Sequence, residues 1–168
     1  GTGPKAGGPR YLPRFTKQNL LHAEGELPPR KTAEEISSAF ACKFEFSSFL
    51  PIDLPGPTGE SNRYTLTPRR RVLCIGVSAK EHAKRAKALG CHAIAATMNT
   101  HDLTLIKNLE AVVYAGSNSV EIRQALSNRT GPIVPILMDE NFEMWLVREH
   151  SICINTTAAG GNVALLGG

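Results

Sequence analysis

Long apolar runs are missing from this 168-residue chain, and none approaches the roughly 18 residues that a bilayer-spanning helix needs. Residues 1–15 also lack the charged and apolar regions of a signal peptide. Together these absences lead to the expectation of a soluble, cytoplasmic chain. Aromatic residues make up only 6%, and the 19 Lys+Arg against 15 Asp+Glu leave a formal charge of +4. Nucleic-acid binding needs a wider basic face with aromatics between the charges. The short run Arg69, Arg70 and Arg71 is therefore read as a solvated approach to a strand. The four cysteines, Cys42, Cys74, Cys91 and Cys153, form no CxxC pair and are read as buried thiols rather than disulfides or metal ligands. His22, His82, His92, His101 and His150 show no metal spacing, and no Ser/His/Asp arrangement stands out.

What is present is an ordinary globular composition, 42% hydrophobic, with a clear rhythm from Arg71 onward. Val72 to Val77 is an apolar run rich in strand formers, and Lys80 to Leu89 follows at helical spacing before Gly90 closes it. The step repeats as a strand at 92–97 with a helix near 102–109, a strand at 111–115 with a helix near 119–126, and a strand at 133–138. A further helix over 140–149 and a strand over 151–157 complete the pattern. Strands alternating with helices predict a parallel, Rossmann-like α/β sheet covered on both faces.

Before this rhythm, Tyr11 to Phe15 reads as a short edge strand. Thr32 and Glu35 have the capping-box spacing and predict a helix over 33–40. Leu50 to Asn62, with three prolines and two glycines, reads as an extended surface loop. Residues 1–9 form a specified glycine- and proline-rich loop, and a chain opening on such a loop is expected to be a segment of a larger protein. Residues 158–168 carry no charge and are expected to dock on another surface.

A parallel sheet invites a nucleotide-binding reading. The turn after the first strand has one glycine, Gly76, where the dinucleotide fingerprint needs three, and no acidic residue ends the second strand. Ser78 and Lys80 at the following helix start leave an independent nucleotide or effector site over 71–139 as the alternative reading. Asp102, Asp139 and Glu140 at predicted helix starts suit the helix dipole without any catalysis.

Two segments resemble the proline utilisation A family. Residues 1–9, followed by Tyr11, Leu12, Arg14 and Phe15, resemble the end of that family's aldehyde dehydrogenase module. Residues 155–162, followed by Val163, Ala164, Leu165 and Leu166, resemble its carboxyl-terminal motif. About 140 residues lie between them and include Leu54 to Glu60, Asn62 and Tyr64 to Leu66, which look like the start of an extra domain found in longer members.

The resemblance implies four parts: the end of the dehydrogenase module at 1–20, a linker at 21–69, a noncatalytic domain similar to an aldehyde dehydrogenase nucleotide-binding domain at 70–150, and a strand with the apolar tail motif at 151–168. It implies a parent that oxidises proline with FAD and glutamate semialdehyde with NAD, both cofactors being held outside this chain. Gly1 and Thr2 would belong to a loop anchoring the substrate carboxylate. Asn155, Thr156, Thr157, Gly160, Gly161, Asn162, Leu165 and Leu166 would form an interface or lid over the channel between active sites. No catalytic, cofactor-binding or metal residue is assigned. Expected partners are the rest of the dehydrogenase module and a second parent subunit. Neither nucleic acid nor a membrane span is expected through this segment, although the parent as a whole is compatible with peripheral membrane association. The two ends would be neighbouring strands of the module, with the middle packed beside it.

Overall fold

Alternation inside the first apolar run decides the architecture. Val72 and Cys74 turn to one side, Leu73 and Ile75 to the other, and all four are buried. A strand apolar on both faces needs cover on both. The computed structural model describes residues 8–17, 19–45 and 49–155. Its elements are α1 (Ala33–Ala41), β1 (Ile52–Leu54), β2 (Glu60–Pro68), β3 (Arg71–Gly76), α2 (Ala79–Ala88), β4 (His92–Ala95), β5 (Ala111–Ala115), α3 (Ser119–Ser127), β6 (Ile136–Leu137) and β7 (Val147–Asn155). Short 3-10 helices lie at Leu12–Phe15, Thr100–Thr104 and Phe142–Trp145.

The mixed α/β expectation holds: four parallel strands stand in the order β4-β3-β5-β6. Leu73, Ile75 and Val112 pack with Ile36 and Phe40 of α1, Leu103, and Ile122 and Leu126 of α3. On the other face Val72, Cys74 and Val113 meet Ala83 and Ala86 of α2, with Phe142 and Leu146 beyond. Phe40 and Phe142 are both fully buried and anchor the two layers. The capping box forms as the spacing predicts. The Thr32 amide donates to Glu35 Oε2 at 2.6 Å, and the Glu35 amide donates to Thr32 Oγ1 at 3.2 Å.

β1, β2 and β7 form a second, antiparallel sheet in the order β1-β2-β7. Its register sets Tyr64 opposite Ser151 and Ile52, and Ser61 opposite Ile154. Here the predicted loop over 50–62 is corrected. The prolines flank the strands instead of interrupting them, and Gly59, at φ 82°, closes the turn between β1 and β2.

Other differences share one cause, that distant partners outweigh local pattern. Tyr11 to Phe15 is not a strand: Pro13 suits the first turn of a helix, and the Thr16 amide closes it on the Pro13 carbonyl at 3.4 Å. The ends are therefore not paired strands, yet Arg10 does reach the Met144 carbonyl and lies 3.9 Å from Glu149 of β7. The helix predicted near 102–109 shrinks to Thr100–Thr104, because Arg129 donates to the Leu103 and Ile106 carbonyls. The helix predicted over 140–149 ends at Trp145, since pairing with β2 claims Val147 onward. Pro135 offers only its carbonyl, which accepts from Val112 at 2.9 Å, and β6 is correspondingly short. Cys74 and Cys91 are buried thiols as expected, but Cys42 and Cys153 are exposed.

Candidate functional site

In a sheet of this order, ligands favour the crevice beyond the carboxyl ends of the strands, where β3 and β5 part. Gly76 ends β3 there at φ 99°, and a Cβ on it would lie 2.6 Å from the Ala115 carbonyl oxygen. The glycine thus serves the close approach of β3 to β5. Ser78 follows, and its hydroxyl lies within hydrogen-bond distance of the His22 and Glu24 carbonyls at 3.1 and 2.7 Å while accepting from the Glu24 amide at 3.1 Å.

Those partners belong to an extended strap, residues 19–31, laid across the carboxyl edge of the sheet. It bonds Met138 through the Leu21 amide at 2.8 Å, and the Glu140 amide reaches the Asn19 carbonyl at 2.8 Å. At its far end the Thr97 hydroxyl donates to the Pro28 carbonyl at 2.9 Å. Lys80 faces Glu26 of the strap at 3.9 Å. Ser78, which with Lys80 suggested an anion site, is therefore engaged by the chain itself, while the Lys80–Glu26 pair lies exposed. With one glycine, itself needed for strand packing, the residues at this crevice do not fit a dinucleotide.

At the opposite pole Arg69 and Arg71 prove structural, a correction to the solvated reading of the run, while Arg70 remains exposed. Arg69 is buried and donates through Nε to the Trp145 carbonyl at 3.0 Å. Burial, with Arg148 adding to it, lowers the pKa of Arg69. Glu110 gathers the rest: Oε2 accepts from Arg148 Nη2 at 2.7 Å and from the Arg70 amide at 3.1 Å, and Oε1 lies 3.7 Å from Arg71 Nη1. Within the antiparallel sheet, the buried Tyr64 hydroxyl of β2 donates to Glu149 of β7 at 2.6 Å, and burial together with that carboxylate pushes it up to about 12. No local sequence signal marked Glu110 or the Tyr64–Glu149 pair.

Burial raises the thiols of Cys74 and Cys91 to about 12, so neither is a ready nucleophile. Among the described residues no cluster of His, Cys, Asp or Glu is arranged to hold a metal ion, and no helix is long and apolar enough to cross a membrane. Of the residues assigned from the resemblance, Asn155 ends β7 opposite Glu60. Gly1, Thr2, Thr156, Thr157, Gly160, Gly161, Asn162, Leu165 and Leu166 lie outside the described residues.

Two histidines are expected to make stability pH-dependent. His82 packs edge-on against Phe142 with ring centroids 5.5 Å apart, and burial, then Arg85, lowers its pKa. His92, stacked on Phe44 at 4.9 Å, is lowered by burial, then by Arg71 and Lys87. Each holds its proton less tightly folded than unfolded, so the unfolded chain gains protons first as pH falls through about 6.5. Denaturant midpoints are expected to fall between pH 7.5 and 5.5, and by less in His82→Gln. An equal fall in that variant would assign the effect elsewhere.

No family model matches the chain. Comparison with curated proteins instead places it beside bifunctional proteins much longer than itself. It is 29% identical over 214 residues to the bifunctional protein PutA of Rhizobium meliloti, a match taking in 99% of this chain and 18% of that protein. PutA of Escherichia coli K12 is 27% identical over 228 residues, 99% of this chain and 17% of that one. The chain is thus a relative of the PutA proteins along nearly its whole length, and it spans 16% to 18% of the curated relatives it matches. Because these matches are longer than the chain, the relatives interpose residues that it lacks. Among solved structures, a Bradyrhizobium japonicum Proline Utilization A variant is similar at TM-score 0.34 and 25% identity, covering 52% of this chain and 13% of that one. A bifunctional proline utilization A structure gives 0.32 and 19%, covering 62% and 14%. Backbone overlap at such scores carries no weight.

Proposed function

We propose that this chain is a noncatalytic, structural part of a PutA-type enzyme that oxidises proline to glutamate, its FAD- and NAD-dependent steps being carried out by parts of the parent outside these residues. In this reading the α/β body is of the aldehyde dehydrogenase superfamily type, and the β1-β2-β7 sheet docks it onto the dehydrogenase module. The observation that carries the proposal is the outer half of that sheet. Ile52, Ile152 and Ile154 are 54%, 55% and 57% exposed. Asp53, Arg63 and Ile152 share one face and Ile52 with Leu54 the other, so apolar side chains emerge on both sides. Apolar groups displayed at such density suit a covered surface. The tail from Asn155 onward would then reach the channel and act as its lid.

The test uses the intact parent. Replacing Ile152 and Ile154 with aspartate, and in a second variant deleting residues 155–168, is expected to introduce a lag in NADH formation from proline and to lower coupled flux. Each half-reaction, assayed with its own substrate, should persist. Coupled flux without a lag in both variants would remove the docking and lid roles.

A further inference from the structure

Arg69 is a buried cation with no carboxylate of its own. It is 8% exposed, and its bonds go to main-chain carbonyls, Nε donating to that of Trp145 at 3.0 Å and Nη1 to that of Glu110 at 3.5 Å. The Glu110 carboxylate is already shared by Arg71 and Arg148. A guanidinium taken out of water is ordinarily paired with an anion, because its lost hydration otherwise goes uncompensated. Arg69 joins no ion pair among the described residues, and its Nη2 has no hydrogen-bond partner there.

The same side chain lines a cavity of about 220 Å³ that lies between residues 10–14, the β6 segment, the Phe142–Trp145 turn and β7. Two further guanidinium groups enter it. Arg10 donates to the Met144 carbonyl, next along the chain to the one that holds Arg69, so consecutive peptide groups fix both forks. Arg14 stands exposed at the rim and joins no ion pair among the described residues. Three cations therefore face one carboxylate, that of Glu149, which accepts from Tyr64 and lies 3.9 Å from Arg10. Ile133, Pro135, Leu137 and Val147 make the rest of the wall apolar. Fixed arginine forks suit carboxylates, and the volume is below the roughly 300 Å³ at which sites for larger ligands begin.

We propose that this cavity binds a short aliphatic dicarboxylate. One carboxylate would meet Arg69 and Arg10, the other would meet Arg14, and the methylenes between them would lie on the apolar wall. Two negative charges match the excess of three guanidinium groups over one carboxylate. Inorganic phosphate carries similar charge but has nothing to lay against Ile133 and Leu137.

Trp145 is the chain's single tryptophan and lines the cavity, so its fluorescence reports occupancy. Titrating the whole 168-residue chain with glutarate, followed by fluorescence and by calorimetry, is expected to give saturable binding. Butyrate should bind more weakly and the neutral diamide glutaramide not at all. Arg14→Gln, at an exposed position, should weaken glutarate about 10-fold with the melting temperature unchanged, and Arg14→Lys should recover only part of the loss. Arg69→Gln should abolish binding. Should that variant fail to fold, Ile133→Glu decides instead: the position is 92% exposed, and a carboxylate placed there should exclude the ligand from a folded chain. Absence of saturable glutarate binding, equal binding of butyrate, glutaramide or inorganic phosphate, or full glutarate affinity in Arg14→Gln or Ile133→Glu would overturn the proposal.

Discussion

Replacing Gly76 with alanine is expected to destabilise the chain by about 3–5 kcal/mol, through backbone strain at a glycine-only conformation and an unrelieved clash. The φ of 99° suits glycine, and the new Cβ would lie 2.6 Å from the Ala115 carbonyl oxygen. Main chain in a central strand pair cannot swing aside as a side chain can, so β3 and β5 must separate where both hydrophobic layers depend on them. Gly131 provides the control. Its φ is 97°, but a Cβ there would meet nothing within 4 Å. Gly131→Ala should therefore cost only the conformational part, about 1–2 kcal/mol. Urea unfolding of the two variants measures the difference. Equal losses would show that close approach to β5 contributes nothing, and the reading of Gly76 as a packing glycine instead of a ligand-binding one would fall with it.

Glu110→Gln should lower stability by about 2–3 kcal/mol, the lower end of what breaking a buried ionic group costs because Arg148 is partly solvated. The Glu110 side chain is 16% exposed and Arg148 43%. Glutamine keeps the shape and one acceptor oxygen but removes the charge that balances Arg71 and Arg148. Since Arg71 opens β3 and Arg148 lies in β7, the loss falls on the junction between the two sheets. Combining Glu110→Gln with Arg148→Gln is expected to cost less than the two separate losses added, because the second change removes the cation that the first leaves unbalanced. Strict additivity by urea denaturation would count against the network. A loss confined to low salt would reduce it to a surface pair.

Local signals were legible wherever neighbouring residues satisfy one another. The Thr32–Glu35 box and the alanine-rich helix after Ser78 complete their bonding within a few residues, and the apolar runs at 72–75 and 111–113 show their strand character in local composition although their pairing partners lie farther off. The failures cluster where a partner lies far along the chain. Glu140 to Glu149 has a helical pattern, but Glu149 finds the Tyr64 hydroxyl across 85 positions and β7 pairs along the full length of β2. Ser78 looked like a free cap until residues 22–24, some 54 to 56 positions earlier, took up its hydroxyl. Arg69 looked solvated for the same reason, its carbonyl partners at Trp145 and Glu110 lying 76 and 41 positions on.

From its sequence alone, this chain's β-α rhythm and missing glycine fingerprint could be read, because periodicity and motif spacing are local properties, and its two end segments carried the resemblance to proline utilisation proteins. Tertiary structure decided which hydrogen-bonding groups remain open. It laid residues 19–31 over the crevice where a nucleotide would sit, gathered Arg71 and Arg148 about Glu110 and left Ile52, Ile152 and Ile154 of the second sheet exposed. Each of those outcomes depends on backbone and side-chain groups meeting partners tens of residues away, and such meetings exist only once the chain has closed on itself.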